Sequence, residues 1–270
     1  MGKVDELIID VSLKRLMRHH FQRKEGLEFD LAEKVKALAP TDQFTISQYL
    51  LGLKYFEERI AAVFGHGEMF LDVGCGGGNW TIAGSTCFQK VLGLDINENR
   101  LGLAREMAKH LSKENRALFS VGAADKLPLG TASVDAILCN NVMAVMSVGY
   151  APFLRELRRV IRNEGKLYLT VTDSGYLVYL FMQALENPSV PRLFSQYEIV
   201  WRNVRYILRL TDQPYAWIKE KYITRLAKDC GWNLTHSGPE GGIAKAFQPP
   251  IFRSRFAGLP FMKEYLFRPI

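Results

Sequence analysis

"LDVGCGGGNW", residues 71–80, sets four glycines within five positions directly behind a short apolar run. A simple turn needs one or two. Four imply that something approaches this backbone too closely for side chains to be tolerated. "MFLDV" (69–73) reads as a buried strand, and residues from about Asn79 to Phe88 read as a helix. Strand, glycine loop and helix in that order gather backbone N–H groups and a positive helix end at one point, a place for a polar ligand.

Outward from this loop the chain alternates. "KVLGLDI" (90–96), "ALFSVGA" (117–123), "SVDAILCNNV" (133–142) and "GKLYLTVTD" (165–173) read as strands, with helices predicted over 97–111 and 150–162. Near-continuous apolar strands alternating with helices mean a parallel sheet covered on both faces. A helix at 215–231, closed by Gly231, precedes two more expected strands, "WNLTHSG" (232–238) and "AKAFQPP" (244–250). The fold class is therefore α/β, a Rossmann-like, seven-stranded, mostly parallel sheet. The aromatic, basic tail "IFRSRFAGLPFMKEYLFRPI" either lines a pocket or packs on that sheet.

Ahead of the sheet, helices are expected over 5–21, 29–39 and 43–63, the last opened by Asp42 as N-cap. Residues 174–214 interrupt the alternation. There Leu193, Tyr197, Val200, Val204 and Ile207 recur at helical spacing, with Arg192, Arg202, Arg205 and Arg209 mostly opposite. The organisation predicted is an N-terminal helical cap (1–66), a ligand-binding core (67–173), a helical lid (174–214) and the remainder of the core (215–270).

The loop itself restricts the ligand. A dinucleotide GxGxxG pattern would need glycine at 79 or 81, where Asn79 and Thr81 stand, and the phosphate-binding GK[ST] is absent. Asp72-x-Gly74-x-Gly76-x-Gly78 puts an acid two residues before the first glycine, which suits a ligand with a positive amino group. Here the chain resembles the class I S-adenosylmethionine-dependent methyltransferases, from about Met69 to Asp173. "LDVGCGGG" is similar to their first motif, and Asp95 stands where their ribose-binding acid stands. "VGAADKLPLGTASVDAILCNNV" resembles the adenine-contacting loop and fourth strand of the ubiquinone/menaquinone-biosynthesis type, and "LRRVIRNEGKLYLT" resembles the approach to their fifth strand.

The resemblance implies S-adenosyl-L-methionine as cofactor and a small-molecule methyl acceptor. It implies that Asp72 reaches the methionine ammonium, that Gly74, Gly76 and Gly78 line the methionine moiety, and that Asp95 holds the ribose with Ile96 flanking adenine. Where the family usually has Asp after glycine, this chain has Gly122-Ala123. The adenine contacts then fall to the Ala124 N–H and the Asp125 carboxylate. Asn140 is expected below the sulfonium, and Asn141, Tyr176, Tyr197 and Trp201 near the acceptor. Methyl transfer needs no obligatory base. Catalytic residues are left unassigned, with His19, His20, Asp173, Tyr176 and His236 as positional candidates.

Composition sets the outer limits. With 270 residues and 48% hydrophobic content there is material for a sizeable core. No apolar run approaches the ~20 residues that span a bilayer, and the first residues do not read as a signal peptide. Cys75, Cys87, Cys139 and Cys230 are scattered, without metal-ligand spacing, as in a reducing cytoplasm; no metal is expected. Up to Pro191 there are 22 Lys and Arg against 22 Asp and Glu; from Arg192 there are 13 against 6. That basic third keeps an RNA methyltransferase open as an alternative, although "CNNVM" departs from the NPPY-like motif of nucleic-acid amino methylation. A non-catalytic regulator that binds S-adenosylmethionine is the other alternative. Oligomeric state is not readable.

Overall fold

The computed structural model describes residues 28–143, 148–172, 201, 204, 205, 208–210, 218–240, 243 and 262–270. Three helices come first: α1 (Phe29–Leu38), α2 (Gln43–Leu50) and α3 (Leu53–Phe64). Then follow β1 (Gly67–Val73), α4 (Asn79–Gly84), β2 (Phe88–Asp95), α5 (Glu98–His110), β3 (Ala117–Val121), β4 (Val134–Asn140), α6 (Tyr150–Val160) and β5 (Ile161–Thr172). Helix α7 (Glu220–Asp229), β6 (Trp232–Pro239) and β7 (Met262–Pro269) close the chain.

The strands form one seven-stranded sheet in the order β3-β2-β1-β4-β5-β7-β6. All pairs from β3 to β5 are parallel, and β7 runs antiparallel to both neighbours. The order reverses between β1 and β4, so the carboxyl ends of β1, β2 and β4 frame the crevice where ligands of such sheets bind.

Strand alternation sorts the core. Leu71 and Val73 of β1, Ile137 and Cys139 of β4, and Leu167, Leu169 and Val171 of β5 share one face with Phe153, Leu154 and Leu157 of α6. In "YAPFLRELRRV", Tyr150, Phe153, Leu154, Leu157 and Val160 recur at helical spacing and are all buried, leaving Arg155 outward. The other face carries Phe70, Leu138 and Tyr168 against Phe56, Ile60 and Phe64 of α3. A third cluster, Ile46 and Tyr49 of α2 with Leu103 and Met107 of α5, binds the N-terminal helices to the flank of the sheet.

Three expectations need correction. The stretch 43–63 is two helices, not one, because Gly52 takes a left-handed φ of +80° and turns the chain between α2 and α3. Asp42 caps α2 as expected, accepting from the Thr45 amide at 3.1 Å. The helix behind the glycine loop ends at Gly84 rather than Phe88: the Ser85 and Thr86 hydroxyls donate to the Ile82 and Ala83 carbonyls, satisfying its last turn. The seventh strand is Met262–Pro269, within the tail; the stretch 244–250 lies outside the described residues. Tyr265 and Phe267 of that tail are fully buried core residues. Phe252, Phe256 and Phe261 lie outside the described residues, as does the predicted helix 5–21. Among the described residues no helix is long and apolar enough to cross a membrane.

Candidate active site

A cavity of about 460 Å³ opens at the carboxyl ends of β1, β2 and β4, a usual size for a small-molecule site. Its floor is the glycine loop. Gly74 has φ +72°, and a Cβ there would collide with Val142 Cγ2, so glycine is needed on both counts. The Gly74 and Cys75 amides both donate to the Leu94 carbonyl, at 2.7 and 3.0 Å, pinning the loop to β2. The Gly76 amide donates to Asp95 Oδ2 at 2.8 Å, and the Asn97 amide donates to Asp95 Oδ1 at 2.9 Å. The carboxylate at the tip of β2 is thereby held rigidly over the loop.

Asp72 lies beneath, fully buried, and accepts from the Thr81 hydroxyl at 2.7 Å. Burial pushes its carboxyl up to about 7; the Thr81 hydrogen bond opposes the shift and the Asp95 charge adds to it. Burial also pushes the Cys75 and Cys139 thiols up, so neither is a poised nucleophile.

The N-terminal helices, expected as a cap, form part of the wall through residues that the sequence reading did not single out for the site. The Tyr49 hydroxyl donates to the Gly77 carbonyl at 2.9 Å in a buried contact. Thr45 and Gln48 face the cavity, and the Thr45 methyl occupies the space a Gly77 Cβ would need. Across the mouth, Arg100 of α5 pairs with Asp42 at 3.6 Å. Only the Asp42 cap was a sequence signal for any of this.

Among the described residues, three polar atoms of the cavity lining are shut from solvent without a partner: Asn79 Nδ2, Trp80 Nε1 and Asn141 Oδ1. Buried polar atoms are normally paired, so orphans grouped around one cavity mark what a ligand would satisfy. At the end of β4 the Thr170 hydroxyl donates to Asn140 Oδ1 at 2.7 Å and accepts from the Asn141 amide at 2.8 Å.

Of the expected residues, Asp72, Gly74, Gly76, Asp95, Ile96, Ala124, Asn140 and Asn141 all line this cavity. Ile96 is 76% exposed beside it, an apolar platform open to solvent. Gly78 and Asp125 are not on the wall. A Gly78 Cβ would sit 2.7 Å from Ala104 Cβ and 2.9 Å from Phe119, so that glycine serves the packing of the loop on α5 and β3. Asp125 is exposed outside the lining. Trp201 is exposed and off the wall, and His236 sits on β6, 3.4 Å from Glu264 Oε1. Tyr176, Tyr197, His19, His20 and Asp173 lie outside the described residues.

Comparison with known proteins meets this geometry at the same residues. Residues 70–165, from β1 into β5, match the model of a methyltransferase domain. The demethylmenaquinone methyltransferase of Lactococcus lactis is 28% identical over 201 residues, covering 73% of this chain and 69% of that one. The same enzyme of Oceanobacillus iheyensis is 33% identical over 166 residues, covering 57% of this chain and 61% of that one, under two thirds of its length.

The chain carries a methyltransferase domain and is an S-adenosylmethionine-dependent methyltransferase similar to those of class I. It is similar to the quinone-biosynthesis type of small-molecule methyltransferase, and its cofactor is S-adenosylmethionine. The fold agrees: a protein of Pyrococcus horikoshii OT3 superposes with a TM-score of 0.54 at 16% identity, covering 85% of this methyltransferase and 92% of that chain. A geranyl diphosphate methyltransferase in complex with S-adenosylmethionine gives 0.54 at 16% identity, covering 87% and 94%. At such identities the likeness is one of fold alone.

Proposed function

We propose that this methyltransferase transfers the methyl group to a small hydroxylated aromatic acceptor, a reduced quinone ring above all. The observation that carries the proposal is the gradation of the cavity wall. On the β2 side stands the Asp95 carboxylate; at the β4 end the wall is Asn140, Asn141, Val142 and Val148, uncharged amides and apolar side chains. A ring hydroxyl finds there amides to bond and apolar groups to pack on, and among the described lining residues at this end neither a carboxylate nor an imidazole. Phenolic groups ionise near pH 10, so the acceptor itself can supply the electron-rich oxygen or ring carbon that a saturated amine or alcohol lacks. The curated relatives, named for demethylmenaquinone, support this choice.

In this reading Asp95 would hold the ribose hydroxyls, Ile96 and the Ala124 N–H the adenine, and the Asn79 amide and Trp80 indole N–H the methionine carboxylate. Asp72, below the loop, would balance the cofactor's positive charge. When bound, the cofactor supplies the activated methyl. The protein holds nucleophile and methyl in line, an orientation worth about 7 kcal/mol or more of barrier. Choice among acceptors falls to the N-terminal helices and the 174–214 segment, outside the glycine-loop core.

The test is turnover. Purified protein, S-adenosylmethionine with a labelled methyl and a short-chain demethylmenaquinol kept reduced by dithionite should give labelled, methylated quinol and one S-adenosylhomocysteine per methyl transferred. No labelled product from this acceptor or from simpler naphthohydroquinones, with cofactor binding intact, would refute the assignment.

A further inference from the structure

Resting on the reading of the β4 end as the acceptor side, we infer that Asn141 is the positioning residue that selects hydroxylated rings, its carboxamide oxygen accepting a hydrogen bond from the acceptor's hydroxyl. Three observations converge on it. Asn141 Oδ1 belongs to a cavity-lining residue, is shut from solvent and has no donor among the described residues. A buried acceptor left unmatched costs about 1–3 kcal/mol, so a ligand bringing an O–H there is favoured over one that does not.

The backbone fixes where that oxygen goes. Asn141 has φ +56°, a left-handed conformation that a non-glycine residue adopts at a cost, Asn and Asp least of all. The amide of the same residue is tied to Thr170 Oγ1 on the neighbouring strand, so the turn is anchored rather than loose. Thr170 also donates to Asn140 Oδ1, which fixes the adjacent carboxamide with its oxygen toward β5. Thr170 is fully buried and Val142 packs against Gly74 on the other side. The pair of asparagines is thus braced between β5 and the glycine loop, on the side of the cavity away from Asp95.

Chain direction supports the same assignment. Strands β2, β1, β4 and β5 stand side by side about 4.8 Å apart. Asp95 ends β2 and the Asn140–Val142 turn follows β4, so one strand, β1, separates the carboxylate that would hold the ribose from this turn. An amide oxygen is too weak a base to remove a proton. Its part is to orient the hydroxyl, and the proton released during transfer goes to solvent.

The experiment reads binding, so it does not depend on turnover. Calorimetry of the protein saturated with S-adenosylhomocysteine would compare 1-naphthol with 1-methoxynaphthalene, which has the same ring and no O–H. The wild type should prefer the naphthol about tenfold. N141G, which suits the left-handed backbone, should lose the preference while its affinity for S-adenosylhomocysteine stays within twofold. N141D, which keeps an acceptor oxygen, should retain it. The inference is overturned by an absent preference in the wild type, by a preference that survives in N141G, or by an N141D that behaves like N141G. A loss of S-adenosylhomocysteine affinity in N141G would also overturn it, placing Asn141 on the cofactor. Failure of the demethylmenaquinol assay alone would count against the proposed acceptor and leave these outcomes readable.

Discussion

Replacing Asp72 by Asn should stabilise the ligand-free protein at pH 8 and leave it nearly unchanged at pH 4. The carboxyl is fully buried, and burial lifts its pKa from an ordinary value near 3.8 to about 7. As the pH rises from 4 to 7 the unfolded chain gives up this proton and the folded chain keeps it. The folded state then binds more protons than the unfolded one, so stability falls across that window, and the loss is complete above pH 7. Three pKa units at about 1.4 kcal/mol each make the loss on the order of 4 kcal/mol. Asn is isosteric and its oxygen can still accept from the Thr81 hydroxyl, which bonds the carboxylate at 2.7 Å. Urea denaturation of wild type and D72N at half-unit steps from pH 4 to 8 isolates the effect, since other titrations cancel in the difference. The difference should grow toward D72N through that window. A difference independent of pH would refute the assignment of the raised pKa to Asp72.

The same group links pH to cofactor binding. A cation brought close favours the carboxylate, so binding below pH 7 should release a proton from the wild type. Calorimetry in buffers of different ionisation enthalpy would detect that release, and D72N should show none from this site.

Other expectations concern how the glycine loop is held. Y49F removes the donor to the Gly77 carbonyl and should cost about 1 kcal/mol, weakening cofactor binding roughly fivefold by isothermal calorimetry. G77A forces a Cβ against Thr45 and should lower the melting temperature; adding T45A should recover part of that loss, a coupling that a double-mutant cycle measures. R59M leaves Glu240 buried without its cation, 3.2 Å away in the wild type, and should cost about 3–5 kcal/mol. Most of that should return in the R59M/E240Q pair, read by thermal denaturation.

The glycine-loop side of the candidate site was legible because its requirements are local. A loop that must approach a ligand needs glycine at fixed offsets, and an acid at the tip of the next strand falls at a set distance along the chain. What was not legible depends on contacts across the fold. Tyr49 is 28 residues from the carbonyl it bonds, and nothing in its own neighbourhood marks it. Gly78 counts as one more loop glycine in sequence, and beside its left-handed φ of +81° its constraint comes from Ala104 and Phe119, beyond the cavity. The last strand was hidden by chemistry. In "MKEYLFRP" the alternation is broken by Glu264, which is buried because Tyr168 and the Ile243 amide donate to it, both at 2.7 Å. A buried, bonded carboxylate reads as surface when only its type is known.

These long-range contacts also bear on why the helices before the sheet belong to the site. Asp42 caps α2 and pairs with Arg100; Thr45 fills the gap above Gly77; Tyr49 bonds the carbonyl of that same glycine. One short helix therefore touches the loop at its backbone and the far wall at α5. The next helix, α3, carries Arg59, whose guanidinium lies 5.1 Å from the Trp80 ring centroid and bonds Tyr168 of β5. Trp80 follows the loop directly, and Tyr168 stands two residues before Thr170, which orders Asn140 and Asn141. Contacts thus run from the cofactor side of the cavity to its β4 end through α2 and α3, on side chains that a glycine-loop pattern does not contain. Relatives that share the loop but not these helices would be expected to keep the cofactor and change the acceptor.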